Sequence, residues 1–381
     1  MPEGEPSVID LARYFLRLGA LGFGGTVALA GFMHRDLVAQ RRWVSDPDYE
    51  LALAVAQVMP GPLAAQLSMG IGYLKAGVTG ATLVGLAFIL PSFLIVVALS
   101  ALYVTFQGLW WVQALFYTIG AAVIAIIAIA AFRLARGTNR RDPLRWAIFA
   151  ALLVATVWAQ AELAELFVLA GLVALVLRAP PAALRRIRVS AVAPLASLLA
   201  LGAPPLGDTL AQLFLFFAKA GAFVFGSGLA IVPFLYQGTV QQTGWLNERQ
   251  FLDAVAIAII TPGPVVITVA FIGYLVAALP GAVVAALGIF APVYLFTIVP
   301  MPWFRRHRDN AQVRAFVSGA TAAATGAIAG AVVVLGLRAV VDLPTLGVFL
   351  ASLALLLWAK LPEPLLIVVA GLVGLAVSAG R

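Results

Sequence analysis

The chain has 381 residues, 63% of them hydrophobic and only 10% charged, with a formal charge of +8 and a mean hydropathy of +1.05. Soluble domains carry about 25% charged residues, so this composition excludes a water-facing globule. Cysteine is absent and histidine occurs twice, which excludes disulfides, iron–sulfur clusters and typical zinc or haem centres, and no cofactor is expected.

Read in chain order, the acidic start Met1-Pro2-Glu3-Gly4-Glu5-Pro6 lacks the basic region of a signal peptide. No charged residue occurs between Lys75 and Arg133, nor between Asp253 and Arg305. A helix needs about 20 apolar residues to cross the hydrocarbon core, so each gap is long enough for more than one crossing. The runs are continuous rather than alternating, which predicts helices and excludes a barrel. Spans are expected near 11–33, 51–74, 78–104, 109–132, 146–161 and 163–177. A linking span near 189–206 follows, interrupted by Pro194, Pro204 and Pro205. The series resumes at 210–235, 251–277, 280–300, 315–337, 343–359 and 364–380, twelve or thirteen helices in an all-α polytopic membrane protein.

The two series are copies. Phe15-Leu16-Arg17-Leu18-Gly19 and Leu21-Gly22-Phe23-Gly24-Gly25 match Phe217-Ala218-Lys219-Ala220-Gly221 and Phe223-Val224-Phe225-Gly226-Ser227, with Gly228 following. Trp43 matches Trp245, and Pro60-Gly61-Pro62 matches Pro262-Gly263-Pro264, at the same shift of 202. After one deletion, Gly72-Tyr73 pairs with Gly273-Tyr274, Gly80 with Gly281 and Pro91 with Pro292. The organisation is therefore an N-terminal half, 1–188, a linking segment, 189–208, and a C-terminal half, 209–381.

Three loops are basic: 133–145, 178–188 and 305–314. They are expected on the cytoplasmic side, which accounts for the net charge without invoking nucleic acid. The repeat mates of 133–145 and 305–314 carry little charge, so the halves are expected to face opposite ways as an inverted repeat.

Both Pro-Gly-Pro motifs fall inside apolar runs, where proline removes a backbone donor and obstructs the preceding turn. Broken helices at matching positions of inverted repeats point to a transporter's substrate site. Half-helix N-termini suit an anion, although a simple proline kink also accounts for either motif alone. The expected site comprises Pro60, Gly61, Pro62, Thr261, Pro262, Gly263 and Pro264, with Gln66 as a neutral donor. The glycine segments add Gly24, Gly25, Thr26, Gly226, Ser227 and Gly228, which serve either ligand approach or close helix packing. Arg17 and Lys219 are ionisable residues within apolar helices; they either snorkel as anchors or face one cavity and balance a dianion. Lys75 is expected at the interface, and His34 as a bystander. Glu50 and Asp253 are expected to pair with arginines, leaving no carboxylate in the apolar interior to carry protons or sodium.

These paired motifs, with Gln66, Gly70, Gly77 and Pro91 in the first half and Phe290-Ala291-Pro292 in the second, resemble the chromate ion transporter family in its long, two-domain form. The likeness covers roughly 15–335. The chain departs from the family at Thr26, where proline is usual, and at Ser227, where a third glycine is usual. The resemblance implies chromate efflux across the bacterial inner membrane and resistance to chromate, with sulfate as a competing tetrahedral dianion. Beyond lipid and anion no partner is required, and a homodimer is one assembly the sequence allows. The alternatives are a permease for sulfate or another oxyanion, and a membrane enzyme. The enzyme lacks any dinucleotide fingerprint, cysteine or clustered carboxylates to work with.

Overall fold

A computed structural model describes residues 6–22, 25–107, 109–159, 164–180, 209–223, 225–226, 231–307, 311–359 and 361–379. The first half contains α1 (Val8–Leu21), α2 (Gly25–Met33) with a π turn (His34–Gln40), α3 (Asp46–Val58), α4 (Leu63–Phe106), α5 (Trp110–Asn139), α6 (Pro143–Ala159) and α7 (Ala164–Arg178). The second half contains α8 (Thr209–Phe223), α9 (Val232–Tyr236) with a π turn (Gln237–Gln242), α10 (Glu248–Ile260), α11 (Thr268–Ile298), α12 (Met301–His307), α13 (Ala311–Ala339), α14 (Leu343–Ala354) and α15 (Glu363–Ala379). The linking span expected at 189–206 lies outside the described residues.

Four of the expected spans, 11–33, 51–74, 210–235 and 251–277, are hairpins rather than single crossings. The sequence shows why in α3. Ser45 caps the helix by accepting from Asp48 N, and the helix ends at Val58 because the prolines that follow disfavour helical backbone. Met59 is extended, Gly61 has φ of 144°, and helix resumes at Leu63. The chain then turns back. A Cβ on Gly70 would stand 3.1 Å from the Cβ of Ala52, and Leu51 and Val55 pack with Tyr73 and Leu74. Residues equidistant from Gly61 thus meet. At 13 residues, α3 is about 20 Å long, short of the roughly 30 Å needed to cross.

The C-terminal copy repeats this with α10, also of 13 residues, capped by Asn247. Asp253 and Phe271, on its two limbs, both reach Tyr103 of the first half, at 2.6 Å and a ring separation of 5.1 Å. The glycine segments form hairpins of the same kind. In the first, Tyr14 Oη donates to Asp36 at 3.3 Å, joining α1 to the π turn. In the second, Phe216 stacks on Phe234 with centroids 5.3 Å apart.

A second turn lies within α4, where Ala76 and Gly77 leave helical geometry, and Ala277 and Ala278 repeat it in α11. Gly77 has φ of 59° and its mate Ala278 has φ of 50°, so the same reversal is built once with glycine and once with alanine. The limbs touch through backbone: a Cβ on Gly80 would stand 2.0 Å from Gly72 O, and one on Gly281 2.1 Å from Gly273 O. The outgoing limbs, 78–106 and 279–298, are the helices against which α1 and α8 pack.

The halves run in opposite directions and exchange their last helices. α6 folds back from α5 through residues 140–142. It packs parallel to α13, with Phe149 and Leu152 against Gly326 and Leu153 and Thr156 against Gly330. α13 is the repeat mate of α5, so it runs against α5. Correspondingly, α15 lies on α5, with Thr118 Oγ1 donating to Ala370 O at 2.6 Å.

One face of the bundle carries the 140–142 turn, where Arg178 meets Asp142 at 2.5 Å, and α12, whose Met301 and Phe304 pack against Leu51 and Val55 of α3. The opposite face carries Arg249 donating to Gln113 O at 2.7 Å, and the Arg338–Glu248 ion pair. Residues 133–145 and α12 therefore share a face, while the 104–109 turn and 338–343 share the other. A single cysteine placed in each loop of this cysteine-free chain is expected to label from two sides in that grouping. If 133–145 and 338–343 react with the same impermeant reagent from one side, the inversion is wrong.

Candidate functional site

The four hairpin tips meet, and each Pro-Gly-Pro tip meets the glycine tip of the other half. Gly61–Pro62 forms a two-residue parallel pair with Phe225–Gly226. Symmetrically, Gly263 N–H donates to Gly22 C=O at 2.9 Å. These contacts join the halves at the junction of their broken helices. Gly263 has φ of 96°, and a Cβ there would stand 1.9 Å from Ser92 Oγ. Ser92 itself donates to Gly19 O at 3.2 Å.

The remaining expected residues fall around this junction. Pro60 C=O accepts from Gln66 Nε2 at 2.7 Å, which lays the amide over Gly61 and leaves Gln66 Oε1 buried with no hydrogen-bond partner. Thr261 Oγ1 donates to Ile257 O at 2.7 Å and Thr268 Oγ1 to Val265 O at 2.7 Å, so both hydroxyl protons are used within their own limbs. Pro262 and Pro264 are buried on either side of Gly263. Gly25 and Thr26 begin α2 and Gly226 lies in the pairing segment, whereas Gly24, Ser227 and Gly228 fall outside the described residues. Helix N-termini lack acceptors four residues back, so first-turn N–H groups after Pro62 and Pro264 stand beside the junction, with Ile267 N–H already bonded to Pro264 O.

Arg17 and Lys219 are both exposed and are not brought to one cavity. Arg17 lines a cavity of about 390 Å³ that also includes Gly22, whereas Lys219 has no part in that lining. The reason is the inversion: α1 approaches the junction from the basic face and α8 from the opposite one.

Sequence reasoning missed Tyr14, Ser92 and Tyr103. Ser92 follows the repeat-matched Pro91, but its mate is Val293, so the repeat itself hides it. Asp253 is a correction. Among the described residues it forms no ion pair with an arginine; it is 2% exposed and accepts from Tyr103 Oη of the other half, a carboxylate inside the bundle after all. Glu50 is exposed.

An apolar helical bundle of two opposed halves, joined at paired broken-helix tips, defines a membrane transport protein of the inverted-repeat class. Residues 9–177 and 211–375 each match the chromate transporter family, and the chain belongs to it. It is 55% identical to a chromate transport protein of Cupriavidus metallidurans over 369 residues, 96% of this chain and 92% of that protein. It is 53% identical to a probable chromate transport protein of Synechococcus elongatus, covering 97% of this chain and 95% of the relative. A chromate transport protein of Pseudomonas aeruginosa is 33% identical across 96% of this chain and 91% of its own length. No solved structure matches.

Proposed function

We propose that the protein is a multi-pass transporter of the bacterial inner membrane that exports chromate, with its basic face in the cytoplasm, and that it does so without covalent chemistry. The observation that carries this reading is the junction of four tips between opposed halves, in a chain of this family. Each side of the junction has one cation on its approach helix, Arg17 or Lys219, and half-helix N-termini at its centre. Such a site recognises charge and tetrahedral shape through N–H donors rather than through a metal or cofactor.

Among the described residues, the backbone pairing that closes the junction is one Gly263–Gly22 hydrogen bond and the Gly61–Phe225 and Pro62–Gly226 pairing. A backbone hydrogen bond contributes about 1 kcal/mol net, so parting the tips on each cycle is a modest cost. Direction follows from charge. A membrane potential is worth about 2.3 kcal/mol per charge per 100 mV, and with the interior negative a dianion gains about twice that on leaving.

The experiment is labelled chromate flux in proteoliposomes with an imposed potential. Flux is expected to rise steeply with potential, to be inhibited by excess sulfate, and to be little affected by monovalent nitrate. Flux indifferent to potential would defeat the electrogenic mechanism. Flux unchanged in excess sulfate would mean that selectivity rests on more than charge and shape.

A further inference from the structure

The repeat is broken at one place in a way that charge makes legible. Between α1 and the turn after α2, the 390 Å³ cavity is lined by Tyr14, Arg17, Gly22, Arg35, Asp36 and Arg41 among others. A second cavity of about 270 Å³ shares Tyr14, Arg17 and Arg41 and adds Arg13 and Asp10. The two linings set four arginines against two aspartates, an excess of two positive charges. Both aspartates already have partners: Asp36 holds Arg35 at 3.1 Å and Tyr14, and Asp10 holds Arg13 at 3.9 Å. Arg17 has none. The larger cavity reaches Gly22, whose carbonyl is part of the tip junction.

The arginines are placed rather than loose. The Arg41 guanidinium sits between the Tyr14 ring at 5.7 Å and the Trp43 ring at 4.6 Å, and Arg35 lies over Phe32 at 5.0 Å. Such stacking fixes a guanidinium while leaving N–H donors available; Arg35 spends its Nε–H on Asp36 and keeps its terminal N–H groups. Now compare the repeat mates. Tyr14, Arg35, Asp36 and Arg41 correspond to Phe216, Gln237, Gly238 and Thr243 at the shift of 202. With no guanidinium between them, Phe216 and Trp245 touch directly at 5.6 Å. The Phe216 ring occupies the ground over Gly238, where even a Cβ would stand 2.0 Å from it. On the opposite face the equivalent place is therefore filled by an aromatic ring, and of the mates of Arg17, Arg35, Asp36 and Arg41 only Lys219 is charged.

We infer that the Arg17–Arg35–Arg41 cavity is a capture site for a tetrahedral oxyanion dianion on the basic face, with no counterpart on the other. Its excess charge matches the ligand, and its inner end at Gly22 delivers the ligand to the junction. The inference rests on the reading of the protein as an oxyanion transporter and adds a side to it: the two faces differ in how they receive the anion. Clustered cations raise local anion concentration and the rate of encounter, and salt screens that effect.

The test compares chromate flux from the two faces of the full-length protein, using everted and right-side-out vesicles. In the unmodified protein, added KCl is expected to raise the half-saturating chromate concentration at the basic face far more than at the other. The Arg35→Gln/Arg41→Gln variant is expected to raise the basic-face value about tenfold, with the opposite-face value unchanged. Arg35→Lys/Arg41→Lys is expected to recover most of the loss. Equal salt dependence from both faces, or a rise shared by both faces in the glutamine variant, overturns the capture site. If unmodified protein moves no chromate from either face, the transport reading itself falls instead.

Discussion

Gly263→Ala is expected to abolish chromate flux while the folded protein still assembles in the membrane. Two separate physical terms act at this position. Its φ of 96° is unfavourable for any side chain, and a Cβ would overlap Ser92 Oγ, which lies 1.9 Å from the ideal position. Backbone strain of this sort costs on the order of 1–3 kcal/mol. The overlap adds to it and is relieved either by turning Ser92 Oγ away, which breaks its hydrogen bond to Gly19 O, or by moving the tip away from Ser92, which strains the Gly263–Gly22 hydrogen bond. Gly77→Ala is the internal control. Gly77 also has positive φ, but nothing lies within 4 Å of its would-be Cβ, and Ala278 adopts the same geometry in the other half. That variant should transport nearly normally. The measurement is potential-driven flux per mole of monodisperse protein; full activity in Gly263→Ala would show that the tip junction is not on the transport path. Ser92→Gly in the Gly263→Ala background should return part of the flux, since it removes one of the two terms.

Helix type, the duplication and the grouping of basic loops were legible because they depend on composition, which lipid constrains strongly. The opposed direction of the halves was legible for the same reason: Arg133 to Arg145 and Arg305 to Arg314 occupy non-equivalent positions of the repeat. Hairpins were not. An apolar run such as 51–74 has the same length and hydropathy whether it crosses once or folds back at Gly61. What decides is the contact between Ala52 and Gly70, and no one-dimensional pattern contains it.

At the site the pattern was similar. The Pro-Gly-Pro and glycine motifs were identifiable by their backbone properties alone, but their partners were not. Gly22 bonds Gly263 across 241 residues of chain, a pairing set by the exchange of helices between the halves. Tyr103 and Asp253 were invisible as a pair because each is unremarkable on its own. Asp253 follows the charged first turn of α10 (Glu248, Arg249), where the sequence suggests a wet carboxylate. The packing of α10 on α5, α11 and α15, with Tyr103 from the end of α4 bonded to the carboxylate, makes it 2% exposed.

Arg17→Gln and Lys219→Gln are each expected to lower chromate flux about 100-fold or more without loss of folded protein. The inversion sharpens the reason. Since α1 and α8 approach the junction from opposite faces, the two cations act one after the other on a passing anion rather than together. A dianion leaving water on either side therefore meets a single compensating charge, and desolvating it without that charge is costly. Loss of either cation blocks one leg of the path, so the double variant should be no worse than the poorer single one. Arg17→Lys and Lys219→Arg should keep part of the activity, because charge is the main variable and bidentate geometry the lesser one. The sidedness separates this role from the capture site: Arg17→Gln should stop net flux from both faces, whereas loss of Arg35 and Arg41 should weaken uptake from one. Neither cation is buried, so the variants should elute and melt as the unmodified protein does. Normal flux in the Arg17→Gln/Lys219→Gln protein would reduce both residues to interface anchors and remove charge compensation from the mechanism.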